Sequence, residues 1–407
     1  MIMVWQVDAA QTTAYYNAAL CNALARAGCT VEYWTSPYLK ETEPPLTDGA
    51  RAHYAYKIIL NHRLVARARG LRWGVRALSY PFGHAALLRA AVRHTTAHYT
   101  APGGGGQPLI VHMQWGRIPP LDRWLIRRLQ AHRIPVIYTA HDVIPLFTPQ
   151  AVRAYGNLYH LVDGIIVHTQ AAYQDLMRLF PTVPAAKVRI IPLISPDDRT
   201  LRPEQDRTAA RAALHIPDQA RVLLFFGTLR GYKGLPRLVE AFARARQIDP
   251  LLWLVVAGEA ETPADAAPLA ALHGDPQVII APGYIPSPVM WQYFRAADVA
   301  IYPYDRIYQS AALVDAMAFG CPVIVTAVGG LPESVDGNGW VVPPNDPDSL
   351  AAAILEAVAD PARLAAMGAQ SRRLYQRLYD PDAIARQTIA FYEDTWKNKP
   401  HAAPAHS

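Results

Sequence analysis

Cysteine is scarce: Cys21, Cys29 and Cys321 are the only three in 407 residues. They are too few and too scattered for a disulfide framework or a zinc site, so a reducing compartment is expected. No run of 18 apolar residues occurs, so no membrane-spanning helix is expected. The amino terminus, MIMVWQVDAAQ, carries no basic stretch and no cleavage-type site, so no signal peptide is expected. No cluster of Asp and Glu is spaced to hold a metal on phosphates, so no metal is expected. Acidic residues are missing altogether from 49 to 121.

That acid-free stretch carries Arg51, Lys57, Arg63, Arg67, Arg69, Arg72, Arg76, Arg89, Arg93 and Arg117, interleaved with Tyr54, Tyr56, Trp73, Tyr80 and Phe82. Residues 63–78 have helical spacing. Basic, aromatic and amphipathic character together suit an anionic membrane surface, over residues 51–93, or a phosphate-linked acceptor. A solvated basic face paired with acids elsewhere is the alternative. Nucleic-acid phosphates would also attract it, but no reading motif accompanies it, so no nucleic acid is expected. The cytoplasm is the expected location, with peripheral attachment to the inner face of the membrane as a variant. At 51% hydrophobic, the chain is long enough for two domains with separate cores. Its 35 prolines sit mostly at element ends, as at Pro135, Pro192 and Pro322, and punctuate the chain without signalling disorder.

Met3–Val7 reads as a strand, 12–28 as a helix and Thr30–Trp34 as the next strand, a βαβ opening. Asp8 and Gln11 stand at the carboxyl end of the first strand, where open α/β sheets bind ligands. An ordinary helix-capping loop is the alternative. Leu109–His112, Val136–Ala140 and Ile165–His168 are further strands with polar carboxyl ends: His112 and Gln114, His141 and Asp142, and Thr169. The glycine run at 101–106 lacks the Lys-Ser/Thr ending of a phosphate loop and leads into a strand, so it reads as a surface loop. Polar, proline-containing Ser195–Thr200 reads as a linker, and the chain from Ala402 on as a disordered tail.

In the second half, Arg207–Leu214 reads as a helix and Arg221–Phe226, Leu252–Ala257 and Val278–Ile280 as strands. Two helices are expected within 346–367 and a last amphipathic one over 382–397. The organising stretch is YPYDRIYQSAALVDAMAFGCPVIVTAVGGLPE at 302–333. Ser310 is a good N-cap before Ala311, and Gly320 stands where a C-terminal helix glycine belongs. Val323–Thr326 has the apolar, β-branched character of a covered parallel strand. Unpaired amides near Ala311 and Ala312 would seat a phosphate. Asp315 follows roughly 6–7.5 Å along the axis, about the reach from a pyrophosphate to its ribose. A solvated or capping Asp is the alternative.

This stretch resembles the donor-nucleotide segment of the family 4 retaining glycosyltransferases. DAMAFGCPV matches their EAMA-G-PV, with Asp315 for the second motif Glu. The first Glu, near the donor sugar in the family, falls at Ile307. Gln309, Ser310 and backbone groups are then left to hold the sugar or diphosphate. FFGTLRGYKGLPRLVEAF at 225–242 resembles the family segment G-R-L-x-x-x-K-G-x-x-x-L-x-x-A-F. Lys233 matches the Lys that meets the diphosphate, the usual Arg is Thr228, and Arg230 stands two places on. VHMQW resembles the H-x-H strand end, with Gln114 for the second His, and TAHD the T-x-H strand end, with His141. The loop after the first strand lacks the double glycine that many members carry. Glu333 matches the Glu of GG-x-x-E and is expected to order that loop. The resemblance covers about 105–395, and 40–100 match nothing nameable.

The resemblance implies an α/β fold of GT-B architecture, two Rossmann-like doubly wound domains facing a cleft. The expected domains are 1–194 for the acceptor, with 385–407 crossing back, and 195–384 for the donor. The implied reaction moves a sugar from a nucleotide-diphosphate sugar, a co-substrate with no further cofactor, to an acceptor hydroxyl. The acceptor would be a sugar, a lipid-linked sugar or an exopolysaccharide precursor. His141, Lys233 and Arg230 are the expected catalytic residues. Gly227, Thr228, Glu259, Ile285, Gln309, Ser310, Ala311, Ala312 and Asp315 would bind the donor, and Asp8, Gln11, His112, Gln114 and Asp142 would face the acceptor. A nucleotide-sugar epimerase on the same scaffold and a degenerate sugar- or membrane-binding protein are the alternatives.

Overall fold

The computed structural model describes residues 1–38, 44–56, 69–100, 107–144, 152–195 and 206–399. The expectations for the loop at 101–106, the linker after Ser195, the tail and the 57–68 part of the basic stretch lie outside the described residues, as do the side chains of 69–78. The chain divides into two compact units, Met1–Pro196 with Pro381–Ser407, and Asp197–Asp380.

The first unit is built on β1 (Met3–Asp8), β2 (Thr30–Thr35), β3 (Arg51–His53), β4 (Leu109–Met113), β5 (Val136–Thr139), β6 (Gly164–Val167) and β7 (Val188–Ile190). They form one parallel sheet in the order β3-β2-β1-β4-β5-β6-β7. Helices cover both faces, so the central strands are mostly apolar and wholly buried. The core joins Val4, Leu20, Ile110 and Ile137 to Ile384, Phe391 and Tyr392 of the last helix, Pro381–Lys397. Gly164 permits that helix to come close, because a Cβ there would lie 2.7 Å from the Phe391 ring. Arg26 donates to Asp382 at 2.9 Å at the start of the same helix.

The second unit repeats the plan with β8 (Arg221–Phe226), β9 (Leu252–Gly258), β10 (Val278–Pro282), β11 (Val299–Tyr302), β12 (Val323–Thr326) and β13 (Gly339–Val342). Its parallel order is β10-β9-β8-β11-β12-β13. Strand order reverses at β1 in one sheet and at β8 in the other, the places where doubly wound sheets open a ligand crevice at their carboxyl edges.

Two helices depart from the sequence expectation. Arg69–Thr100 runs far beyond 78, through Pro81. The second helix expected before 367 continues as Pro361–Leu378. Gly368 lies inside it as a packing residue: a Cβ there would stand 2.6 Å from the Gly320 carbonyl oxygen.

Candidate functional site

In the second unit, β8 buries Val222–Phe226 and ends at Gly227, whose φ of +118° suits glycine alone. Gly258 ends β9 with φ +153°, and a Cβ there would meet the Gly227 carbonyl oxygen at 2.1 Å. The two strand ends therefore touch backbone to backbone. Leu229 N donates to Glu259 O at 2.8 Å, and Glu261 N donates to Leu229 O at 3.1 Å, so the loops stay paired past the sheet. The chain then makes a tight turn, Gly231–Lys233, closed by left-handed Gly234. This turn brings Lys233 back over the end of β8. Its Nζ stands 3.3 Å from the Cβ position of Gly227, and the Ala312 Cβ is 3.6 Å from the same point.

Ala312 belongs to the helix Ala311–Ala318, capped as its sequence suggests by Ser310, whose Oγ accepts from Leu313 N at 3.3 Å. Gly320 follows in the left-handed region. The amides of Ala311 and Ala312 have no acceptor among the described residues. Tyr302 holds this end from below by donating to Ala312 O at 2.6 Å. The Gln309 side-chain carbonyl is buried without a partner among the described residues. Asp315 is half-buried one turn further on. Gly329 packs on the backbone at Ile307, and Gly330 N donates to Tyr308 O at 3.2 Å, so the Gly-Gly turn braces the segment where Ile307 replaces a motif Glu. Glu333 lies in the short turn Pro332–Ser334 beside it, its N donating to Gly330 O at 3.2 Å. Thr228 and Glu259 are exposed at the ends of their strands, and Ile285 is half-buried after β10.

Lys233 is half-buried and has no carboxylate partner among the described residues. Burial, helped by the Arg230 charge, pushes its ammonium down to about 7. Its Nζ lies 5.1 Å from the centre of the Tyr304 ring. Arg230, expected as the substitute cation, has its Nε 2.8 Å from Glu261 Oε2. The charge next to Lys233 is thus already shared with a carboxylate.

The first unit gathers its polar strand ends into a buried chain. Tyr392 OH bonds His112 Nδ1 at 2.7 Å, and Thr139 Oγ1 bonds His112 Nε2 at 2.7 Å. Gln114 donates to His112 Nε2 at 3.1 Å and accepts from His141 Nε2 at 3.0 Å. His141 stacks on Trp115 at 4.8 Å and meets Tyr16 edge-on. Asp142 is half-buried beyond it. Burial drives His141 well below the ordinary value, His112 down to about 3 and His168 to about 4. Imidazole is therefore neutral at all three.

Two acceptor-side expectations need correction. His112 is fully buried and both its ring nitrogens are occupied inside the unit. Asp8 is also fully buried and accepts from Ala10 N, Thr13 N and Asn17 Nδ2, so its carboxylate is taken up within the unit. Gln11 is buried too, with φ +48° and its N donating to Asp8 O. Sequence reasoning passed over His168, Trp115 and Tyr304. His168 had a signal, since it closes the third strand end in the series His112, His141, His168. Tyr304 had none, because its role depends on where Lys233 folds back.

Two family models match the chain in succession, Glycosyltransferase Family 4 at 13–194 and Glycosyl transferases group 1 at 206–374. The D-inositol 3-phosphate glycosyltransferase 1 of Catenulispora acidiphila is 33% identical over 70% of this chain and 71% of that protein. The chain belongs to the group 1 glycosyltransferases. A second relative of this glycosyltransferase, the D-inositol 3-phosphate glycosyltransferase of Kineococcus radiotolerans, is 28% identical over 93% of this chain and 89% of its own. Among solved structures, the sucrose-phosphate synthase of Thermosynechococcus elongatus aligns over 98% of this chain and 100% of its own at TM-score 0.70 and 22% identity. Anabaena HepE in complex with UDP-glucose aligns over 97% and 100% at TM-score 0.72 and 15% identity. These likenesses concern the fold, two parallel sheets with flanking helices of the GT-B kind.

Proposed function

We propose that this glycosyltransferase moves a sugar from a nucleotide-diphosphate donor to a hydroxyl of a phosphorylated polyol of the inositol phosphate class, with retention at the anomeric carbon. The observation that carries the donor half is the convergence of Lys233, Gly227 and the open amides of Ala311 and Ala312. A cation without a carboxylate partner, beside helix N–H groups without an acceptor among the described residues, suits a diphosphate leaving group. The acceptor half is supported by the names of relatives matched along most of the chain. A lipid-linked acceptor would rest on the basic stretch alone.

In this reading the bond between the anomeric carbon and the β-phosphate oxygen breaks while the acceptor oxygen bonds that carbon from the same face. The acceptor proton passes to the departing phosphate. Lys233 and the helix amides hold the developing negative charge, so no metal is required on the diphosphate. Asp315 serves the ribose, and neutral His141 is held in place by Gln114.

The test is a product assay by mass spectrometry with uridine, guanosine and adenosine diphosphate sugars, with and without inositol phosphate. Transfer that needs the acceptor and persists in chelator is expected. Donor conversion without acceptor would favour an epimerase, and nucleotide binding without turnover a degenerate protein. Lys233→Ala should lower turnover by about 10²–10³-fold; unaltered turnover would remove Lys233 from the mechanism.

A further inference from the structure

A cavity of about 640 Å³ opens in the second unit away from Lys233. It lies at the amino-terminal edge of the sheet: Leu251 precedes β9, Arg221 begins β8, Asp298 precedes β11 and Pro322 precedes β12. Lys233 and Gly227 stand at the opposite, carboxyl edge. Part of the cavity wall is apolar, with buried Phe319, Val358 and Leu364. Its charge is uneven, since four arginines and two aspartates line it.

Most of the nearby carboxylates are already engaged. Asp298 holds Arg211 at 2.8 Å and also Arg207, and Asp249 holds Arg221. Asp218 adds a carboxylate whose field falls on Arg211. Arg295 and Arg372 have no carboxylate partner among the described residues, although both line the cavity and the Arg372 charge acts on Arg295. The Arg295 Nε is buried with no acceptor among the described residues. A buried N–H of a charged group without a partner is costly. Burial first, then Arg372, pushes the Arg295 pKa down. Two guanidinium groups lining one cavity, neither with a carboxylate partner among the described residues, suit the oxygens of one dianion.

We propose that this cavity is a second ligand site, which takes a small phosphomonoester on an apolar body. Its phosphate meets Arg295 and Arg372, and its body lies against Val358 and Leu364. The excess of two positive charges in the lining equals the charge of one such dianion. The site is separate from the one at Lys233, but the helix Ala311–Ala318 runs between them. Its Ser310 end faces Lys233 and its far end, Phe319 and Gly320, lines the cavity, about 12 Å away.

Isothermal titration with phenyl phosphate tests this on the full chain, with phenol as the neutral control. A saturable isotherm is expected for the wild type and for Lys233→Ala, and none for phenol. Affinity should fall at least about tenfold in Arg295→Gln and in Arg372→Gln, with folding checked by circular dichroism. If Arg295→Gln does not fold, half-exposed Arg372→Gln carries the comparison. An isotherm lost in Lys233→Ala, one unchanged in the arginine variants, equal binding of phenol, or no isotherm at millimolar phenyl phosphate would each overturn the proposal.

Discussion

Lys233 holds its ammonium 5.1 Å from the centre of the Tyr304 ring. With its pKa pushed down to about 7, this lysine is largely neutral at pH 8. An arriving diphosphate restores the charge, because a nearby anion favours the protonated form. Binding of a nucleoside diphosphate at pH 8 should therefore take up about one proton. Titration calorimetry in buffers of different ionisation enthalpy reads this directly. Lys233→Arg, which does not titrate, should bind with no uptake. Equal heats in every buffer for the wild type would contradict the assignment. In the free protein the unfolded lysine binds more protons than the folded one between about pH 7 and its ordinary value of 10.5. Stability from this group therefore rises with pH across that window.

The Ser310 cap supports both the helix and the open amides beside it. Ser310→Ala should destabilise the second unit by about 1 kcal/mol, and Ser310→Gly by only a few tenths. The donor KM should rise in Ser310→Ala, since the freed Leu313 amide loosens the turn that positions Ala311 and Ala312. Denaturant melts and donor kinetics check the two effects. A stability loss with an unmoved KM would mean the cap is purely structural.

Much of the scaffold is legible because a covered parallel strand leaves a short apolar, β-branched run, as at Val323–Thr326 and Leu109–Met113. Caps are legible for the same local reason, and Ser310 and Gly320 do what their types suggest. Side-chain direction at a strand end is not local. His112 and Gln114 both follow an apolar run, yet His112 turns toward Tyr392, 280 residues further on, while Gln114 reaches His141. Asp8 reads as a crevice residue or as part of a helix-capping loop, and its position at a strand end does not reveal that Asn17 donates to it. The pairing of Arg230 with Glu261 depends on two loops meeting across β8 and β9, which no spacing in either loop reveals.

Three neutral histidines make the first unit sensitive to acid. His112 titrates at about 3, His168 at about 4 and His141 well below the ordinary 6.5, in each case chiefly through burial. As pH falls below 6.5 the unfolded chain takes up protons that the folded one refuses, so stability present above 6.5 is lost toward pH 4. Each histidine contributes at most about 1.4 kcal/mol per pH unit. Denaturant melts between pH 7.5 and 5 should show this slope. His168→Gln, which can still donate to the Ile191 carbonyl, should remove one histidine's share. A flat profile would refute the burial argument.

Gly258 ties the geometry of the site to a backbone contact that no side chain makes. Its φ is +153°, and a Cβ would fall 2.1 Å from the Gly227 carbonyl oxygen. Gly258→Ala must move that carbonyl, and with it the loop that carries Lys233 back over β8. The Leu229–Glu259 hydrogen bond at 2.8 Å, one residue beyond, would be strained as well. Stability should fall by about 1–3 kcal/mol, as for other overpacked positions. Donor affinity should fall further than a purely global effect allows, because Gly227 and Lys233 move relative to Ala312. Gly274→Ala is the matched control: that glycine also has positive φ, +82°, but its Cβ would meet nothing within 4 Å. It should lose stability while keeping donor affinity. If the two variants lost affinity in proportion to their stability, the close approach of the β8 and β9 ends would have no part in holding the diphosphate.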